Sequence, residues 1–145
     1  MDQNLTAYCG ICCADCIPAN SELHLLTEQL EKLLGKLQFD VYADYKAERI
    51  PEFRSYPVFL AILRRIGQLH CPTCRQGGGN AQCDIRSCLQ ARDLPGCWVC
   101  NLRPGCNRLD RLRAVHPHLD QNLDLIARLG PEQWFKARKG HYRWQ

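Results

Sequence analysis

Cysteines are the residues of this chain whose type and spacing could do chemistry. Eleven occur in 145 residues: Cys9, Cys12, Cys13 and Cys16 stand together, and seven more fall in the 36 residues from Cys71 to Cys106. The 54 residues between Cys16 and Cys71 contain none, so the thiols form two clusters rather than a scatter. At this density cysteine either cross-links the chain as disulfides or binds metal as thiolate, and the redox compartment decides between them. The opening MDQNLTAYCG has no basic n-region and no apolar h-region, and no stretch approaches the ~18 apolar residues of a membrane span. The expectation is a cytoplasmic protein without membrane association, whose thiols stay reduced and bind metal. An odd cysteine count, which a fully disulfide-bonded monomer cannot use, points the same way.

The spacing sharpens that chemistry. Cys71/Cys74 and Cys97/Cys100 are C-x2-C pairs separated by 22 residues, and such a turn aims two sulfurs at one point while nearby N–H groups bond them. Cys83 and Cys88 lie between the pairs, and Cys106 follows after the Pro104-Gly105 turn. The first cluster divides either into two C-x2-C pairs, Cys9/Cys12 and Cys13/Cys16, or into C-x3-C-x2-C through Cys9, Cys13 and Cys16. The second division is the spacing of enzymes that cleave S-adenosylmethionine, but their large α/β barrel does not fit a chain of this length without a βα repeat. Thioredoxin-type exchange at a C-x2-C pair needs a βαβ setting, which is absent too. Gly77, Gly78 and Gly79 suit a flexible loop between ligand groups, and they lack the Gly-Lys-Ser/Thr ending of a phosphate cradle. With no Ser-His-Asp set, paired-carboxylate signature or H-E-x-x-H motif, no catalytic residue is assigned.

These ligands need a scaffold, and the expected fold is mainly α: about five helices carrying irregular cysteine-rich loops with zinc-ribbon or knuckle-like turns, in one domain over 1–145. Its parts are an N-terminal cysteine segment (1–20), a helical part (21–69), a cysteine-rich part (70–106) and C-terminal helices (107–145). Residues 21–37 set Leu23, Leu26, Leu30, Leu33, Leu34 and Leu37 at helical spacing, with Ser21 as cap. His24 lies beside that stripe as a structural histidine. Residues 38–56 read as a connection with one short helical turn, their aromatics packing over the core. Pro57 then opens a helix that is apolar on most sides. After Cys106 come a short helix ended by His116-Pro117, a helix closed by Gly130, and a last one opened by Pro131.

The formal charge of +4 is uneven: residues 1–100 hold 10 Lys+Arg against 11 Asp+Glu, and residues 101–145 hold 9 against 4. Arg138, Lys139, Arg143 and Trp144 could touch phosphates and bases, so nucleic acid is one partner class to weigh, beside a protein partner. Four thiolates around Zn²⁺ sum to −2, so two such sites would bring the total close to zero and remove most of the argument for an anionic partner.

The motif pattern resembles a microbial family of small cysteine-rich proteins described as domain of unknown function 3795. AYCGICCADC resembles its opening motif through Cys9, Cys13 and Cys16, and CPTCR its middle motif through Cys71 and Cys74. Cys83, Cys88, Cys97, Cys100 and Cys106 resemble the rest, and NLDLIARLGPEQWFKARKGHYRW its C-terminal end. The resemblance implies metal binding and no assigned activity. It also makes Cys12, which stands where the pattern asks for no cysteine, the candidate free thiol.

Ten candidate ligands then remain: Cys9, Cys13, Cys16, Cys71, Cys74, Cys83, Cys88, Cys97, Cys100 and Cys106. Two four-thiolate sites leave two over, three sites would recruit Cys12 and His70, and bridging thiolates would also satisfy the count. The leading expectation is structural zinc, two or three ions tying the N-terminal segment to the Cys71–Cys106 stretch. The rivals are an iron–sulfur protein that transfers or senses electrons, for which a Cys9/Cys13/Cys16 triplet is suited, and a zinc-supported nucleic-acid binder.

Overall fold

A computed structural model describes residues 3–138 and 140–142. The protein is mainly helical, with α1 (Ser21–Lys36), α2 (Phe39–Lys46), α3 (Tyr56–Gly67), α4 (Asp84–Gln90), α5 (Asp110–Val115) and α6 (Leu119–Ala137). Among the described residues there is no β-strand, only an isolated bridge between Thr6 and Cys12. Cys13–Cys16 and Cys97–Cys100 are each spanned by a single 3₁₀ turn, whereas the chain from Cys71 to Thr73 is irregular and a 3₁₀ turn starts at Cys74. The chain divides into two compact units: residues 20–70 make one, and the segments before and after them make the other.

The helical unit starts at Asn20, whose side chain accepts a hydrogen bond from the Leu23 N–H at 2.9 Å. The cap is therefore Asn20, one residue before the expected Ser21, and it satisfies a donor that the first turn leaves free. α1 packs against α3. Thr27 is buried there, its hydroxyl donating to the Leu23 carbonyl at 2.6 Å. The expected connection over 38–56 contains a full helix, α2, followed by a 3₁₀ turn at Pro51–Ser55. The aromatics that hid its period form a cluster: Phe39 stands 5.2 Å from Tyr56 and 5.9 Å from Phe53 between ring centroids. Its side chains bury little else. Leu26, Leu30, Leu33 and Leu37 remain between 39% and 59% exposed, so most of the apolar face expected of this helix lies at the surface.

The cysteine unit is centred on α6. Leu119, Asn122, Leu123 and Ile126 repeat at i, i+3, i+4 and i+7 and are all buried. The helix breaks at Gly130, whose φ of 76° is a left-handed conformation that suits glycine, and Pro131 restarts it as expected. The break turns Trp134 inward, where its indole N–H donates to Asn122 Oδ1 at 2.9 Å and so satisfies both buried polar groups. Ile85 and Leu89 of α4, with Leu109, complete the main cluster. α4 went unforeseen because its two buried aliphatics sit among cysteines.

The N-terminal segment is bound into this unit by backbone. The Cys97 N–H donates to the Tyr8 carbonyl and the Cys71 N–H to the Pro18 carbonyl, each at 2.8 Å. Arg75 donates to the Thr6 carbonyl at 2.7 Å with its guanidinium 4.4 Å above the Tyr8 ring. Arg138 grips Asp15 with two hydrogen bonds, 2.9 and 2.5 Å.

Candidate metal centre

The cysteine turns share one local geometry. Cys16, Cys100 and Cys106 each end a 3₁₀ turn with φ near −80° and ψ between 108° and 122°, their N–H groups bonded to the carbonyl three residues back. Such a turn needs no side-chain support, so it can form from Ala-Asp, Trp-Val or Pro-Gly alike.

These turns distribute ten cysteines between two cavities. Cys9, Cys13, Cys16, Cys71, Cys74 and Cys83 line a chamber of about 520 Å³. Cys88, Cys97, Cys100 and Cys106 line a much smaller one of about 20 Å³. Cys12 lines neither; it is fully buried against Ile126 and Trp134. His70 is exposed in the helical unit, its ring edge-on to His24 at 5.3 Å. Among the described residues no three His, Cys, Asp or Glu side chains converge closely enough to hold one metal ion as they stand. The sulfurs line walls; they do not meet at a point.

Several contacts favour thiolate within the larger chamber. The Gly79 N–H donates to Cys71 Sγ at 3.2 Å. Backbone hydrogen bonds from Ile11 to Cys9 and from Cys74 to Cys13 pull those thiols toward ionisation. Burial outweighs them, aided by the neighbouring thiols, and pushes Cys9 up to about 12 and Cys13 to about 11. Cys97 is likewise pushed up to about 12 by burial and then by Cys106 and Cys100. At neutral pH these thiols hold their protons.

The glycine run proves to be a sulfur cradle rather than a slack linker. A Cβ on Gly78 would lie 2.7 Å from Cys71 Sγ and 2.6 Å from the Thr73 carbonyl oxygen, so only glycine lets the backbone approach that sulfur. The Arg86 guanidinium then fastens the loop, donating to the carbonyls of Gly78 and Asn80 at 2.8 Å and of Ala81 at 3.1 Å. Thr73, between Cys71 and Cys74, has a φ of 82°, a costly position for a β-branched residue and an indication of strain in the turn that aims this pair. Sequence reasoning missed Arg86, which carries no motif, and Tyr142, whose side chain hydrogen-bonds Cys16 at the chamber wall.

The basic end is partly committed. Arg138 pairs with Asp15 and lies 4.2 Å above the Phe135 ring, while Lys139, Arg143 and Trp144 lie outside the described residues. No described helix is long and apolar enough to cross a membrane.

Fold and site together define a mainly helical, cysteine-rich protein in which the sulfurs of distant segments share two cavities. The chain belongs to the family described as protein of unknown function (DUF3795), whose model matches residues 5–111 and so takes in all eleven cysteines. No curated protein and no solved structure matches the chain.

Proposed function

We propose that this is a metal–thiolate protein whose larger chamber holds an iron–sulfur cluster for electron transfer or redox sensing. The observation that supports this reading is six cysteines, drawn from the N-terminal segment and from residues 71–83, around one chamber of about 520 Å³. A tetrahedral zinc site with Zn–S near 2.3 Å needs its four sulfurs within about 4 Å of one another. The thiolates of a [4Fe–4S] cluster each bind a different iron and stand further apart, around a larger volume. Arg86, Arg108 and Arg111 also line the chamber, and their charge would offset that of a thiolate-bound cluster and favour its reduction. Zinc remains the reading favoured by the paired C-x2-C spacing.

Anaerobic purification of the full chain with metal analysis and an absorption spectrum separates the two. Iron and sulfide, with visible charge-transfer absorption that bleaches on reduction, are expected. A colourless protein whose Cys13 and Cys71 hold zinc would replace the cluster by zinc in the same chamber. Deleting residues 1–16 removes Cys9, Cys13 and Cys16 and should abolish iron binding; full retention would refute a centre shared between the N-terminal segment and residues 71–83.

A further inference from the structure

We propose that Cys88, Cys97, Cys100 and Cys106 form a second and separate metal site, built for one tetrahedral divalent ion of the zinc kind. The inference rests on the reading of the chain as a metal–thiolate protein, but not on what fills the larger chamber. These four cysteines supply the complete thiolate set of a closed site, and all four line the same small cavity.

The chain is shaped to bring them there. From Cys97 onward it makes successive three-residue turns: the Cys100 N–H bonds the Cys97 carbonyl at 3.2 Å, Arg103 bonds Cys100 at 3.2 Å, and Cys106 bonds Arg103 at 3.1 Å. Arg113 holds the last of these in place by donating to the carbonyls of Arg103 and Cys106, both at 3.1 Å. Cys88 comes from α4, whose Ile85 and Leu89 are buried against Cys97 and Leu109 in the main cluster. The site's backbone is thus set by turns, a guanidinium and the core.

Size decides what they would hold. One water needs roughly 10–15 Å³ of cavity, so about 20 Å³ admits a single ion and excludes a cluster of several irons. The remaining wall is Ile85, Leu89 and Leu109 with Arg103 and Arg108, and four thiolates would complete the coordination of a tetrahedral ion without an open position. Arg103 also lines this cavity, and its buried Nη1 has no hydrogen-bond acceptor among the described residues. A metal-bound thiolate, which carries charge where a thiol does not, is an acceptor suited to it.

The test uses the full chain purified anaerobically, with zinc and iron counted per chain. Cys88→Ala with Cys106→Ala should lose about one zinc and keep the metal of the larger chamber, because a structural zinc needs its four ligands. Cys13→Ala with Cys71→Ala should show the reverse. Zinc that survives the first pair, or falls equally with both, overturns the proposal. A wild-type chain without iron whose zinc still depends on Cys88 and Cys106, and not on Cys13 and Cys71, would sink the cluster reading and leave this one standing. Should the alanine pair fail to fold, cobalt(II) loaded in place of zinc reports the site directly. Cys106→His should keep that cobalt but shift its ligand-field bands, and an unshifted spectrum excludes Cys106 as a ligand.

Discussion

Residues 20–70 carry no cysteine and no net charge, seven Lys+Arg facing seven Asp+Glu, whereas the remaining residues carry all eleven cysteines and the whole charge of +4. The two units also differ in what orders them. In the helical unit only Thr27, Ala43, Tyr56 and Leu63 are buried, and capping, an aromatic cluster and surface ion pairs supplement them. The cysteine unit has the larger core, from Leu109 to Trp134, yet its first half is mostly turns with few aliphatic side chains. Turns of three residues bury too little to offset the entropy of fixing them, so that half depends on backbone ties, arginine clamps and the proposed metal.

The most forceful way to break this contrast is to remove the metal. Zinc binding in small thiolate sites is worth about 10 kcal/mol or more, comparable to a domain's whole stability, so chelation should collapse the cysteine unit. Hydrogen exchange on the full chain should then show protection lost over residues 3–19 and 71–109 while α1 and α3 keep theirs. Simultaneous loss in α1 and α3 would mean the two units are not independent.

Trp134→Ala should cost about 3–5 kcal/mol by the cavity it leaves, and rather more because the buried hydrogen bond from the indole to Asn122 is lost with it. A denaturant midpoint that hardly moves would show that α6 is not the centre of its unit. Histidine 141 offers a smaller, pH-dependent probe. Burial first, then the charges of His116 and Arg138 against the opposing pull of Asp15, hold His141 down to about 4. Its folded value lies below its unfolded value of about 6.5, so its contribution is present above pH 6.5 and is lost as the pH falls toward 4. Between pH 7.5 and 5.5 the wild type should lose more stability than His141→Gln, and equal slopes would remove this residue from the account. Smallest of all is Leu33→Ala: with the side chain 51% exposed, the change should stay within about 0.5 kcal/mol. A cost above 2 kcal/mol would mean that something covers the leucine stripe in solution.

Much of the fold was legible where a residue's role is local. α1 and α3 followed from leucine spacing and Pro57, and the break in α6 from Gly130-Pro131. The cap moved by one residue because Asn20 and Ser21 are both good caps and only geometry selects between them. α2 was hidden by Phe39, Tyr42 and Tyr45, whose bulk suits several structures, and α4 by the cysteines around Ile85 and Leu89. The stripe from Leu26 to Leu37 has the right period, but period identifies a face and not what lies against it. The cysteine set itself was visible in the spacing, and the odd standing of Cys12 in the family resemblance. The division into six and four was not, because Cys88 is nearer in sequence to Cys83 yet shares a cavity with Cys106. That choice is made by the side of α4 each sulfur flanks and by the tie between Cys97 and Tyr8, both of which require the chain to be folded.

The hydrogen bond between Cys71 and Pro18 has a consequence in time. It closes a loop around the 51 residues of the helical unit, so Cys9, Cys13 and Cys16 leave the ribosome well before the sulfurs that face them. At ~5–20 residues per second, the 54 residues from Cys16 to Cys71 take about 3–11 s to synthesise. During that interval the nascent chain exposes reactive thiols with no partners, while the helical unit, being contiguous, already has everything it needs to fold. Assembly of the larger chamber is therefore a late step in the protein's biogenesis, and the cell must keep the first cysteines reduced until it happens.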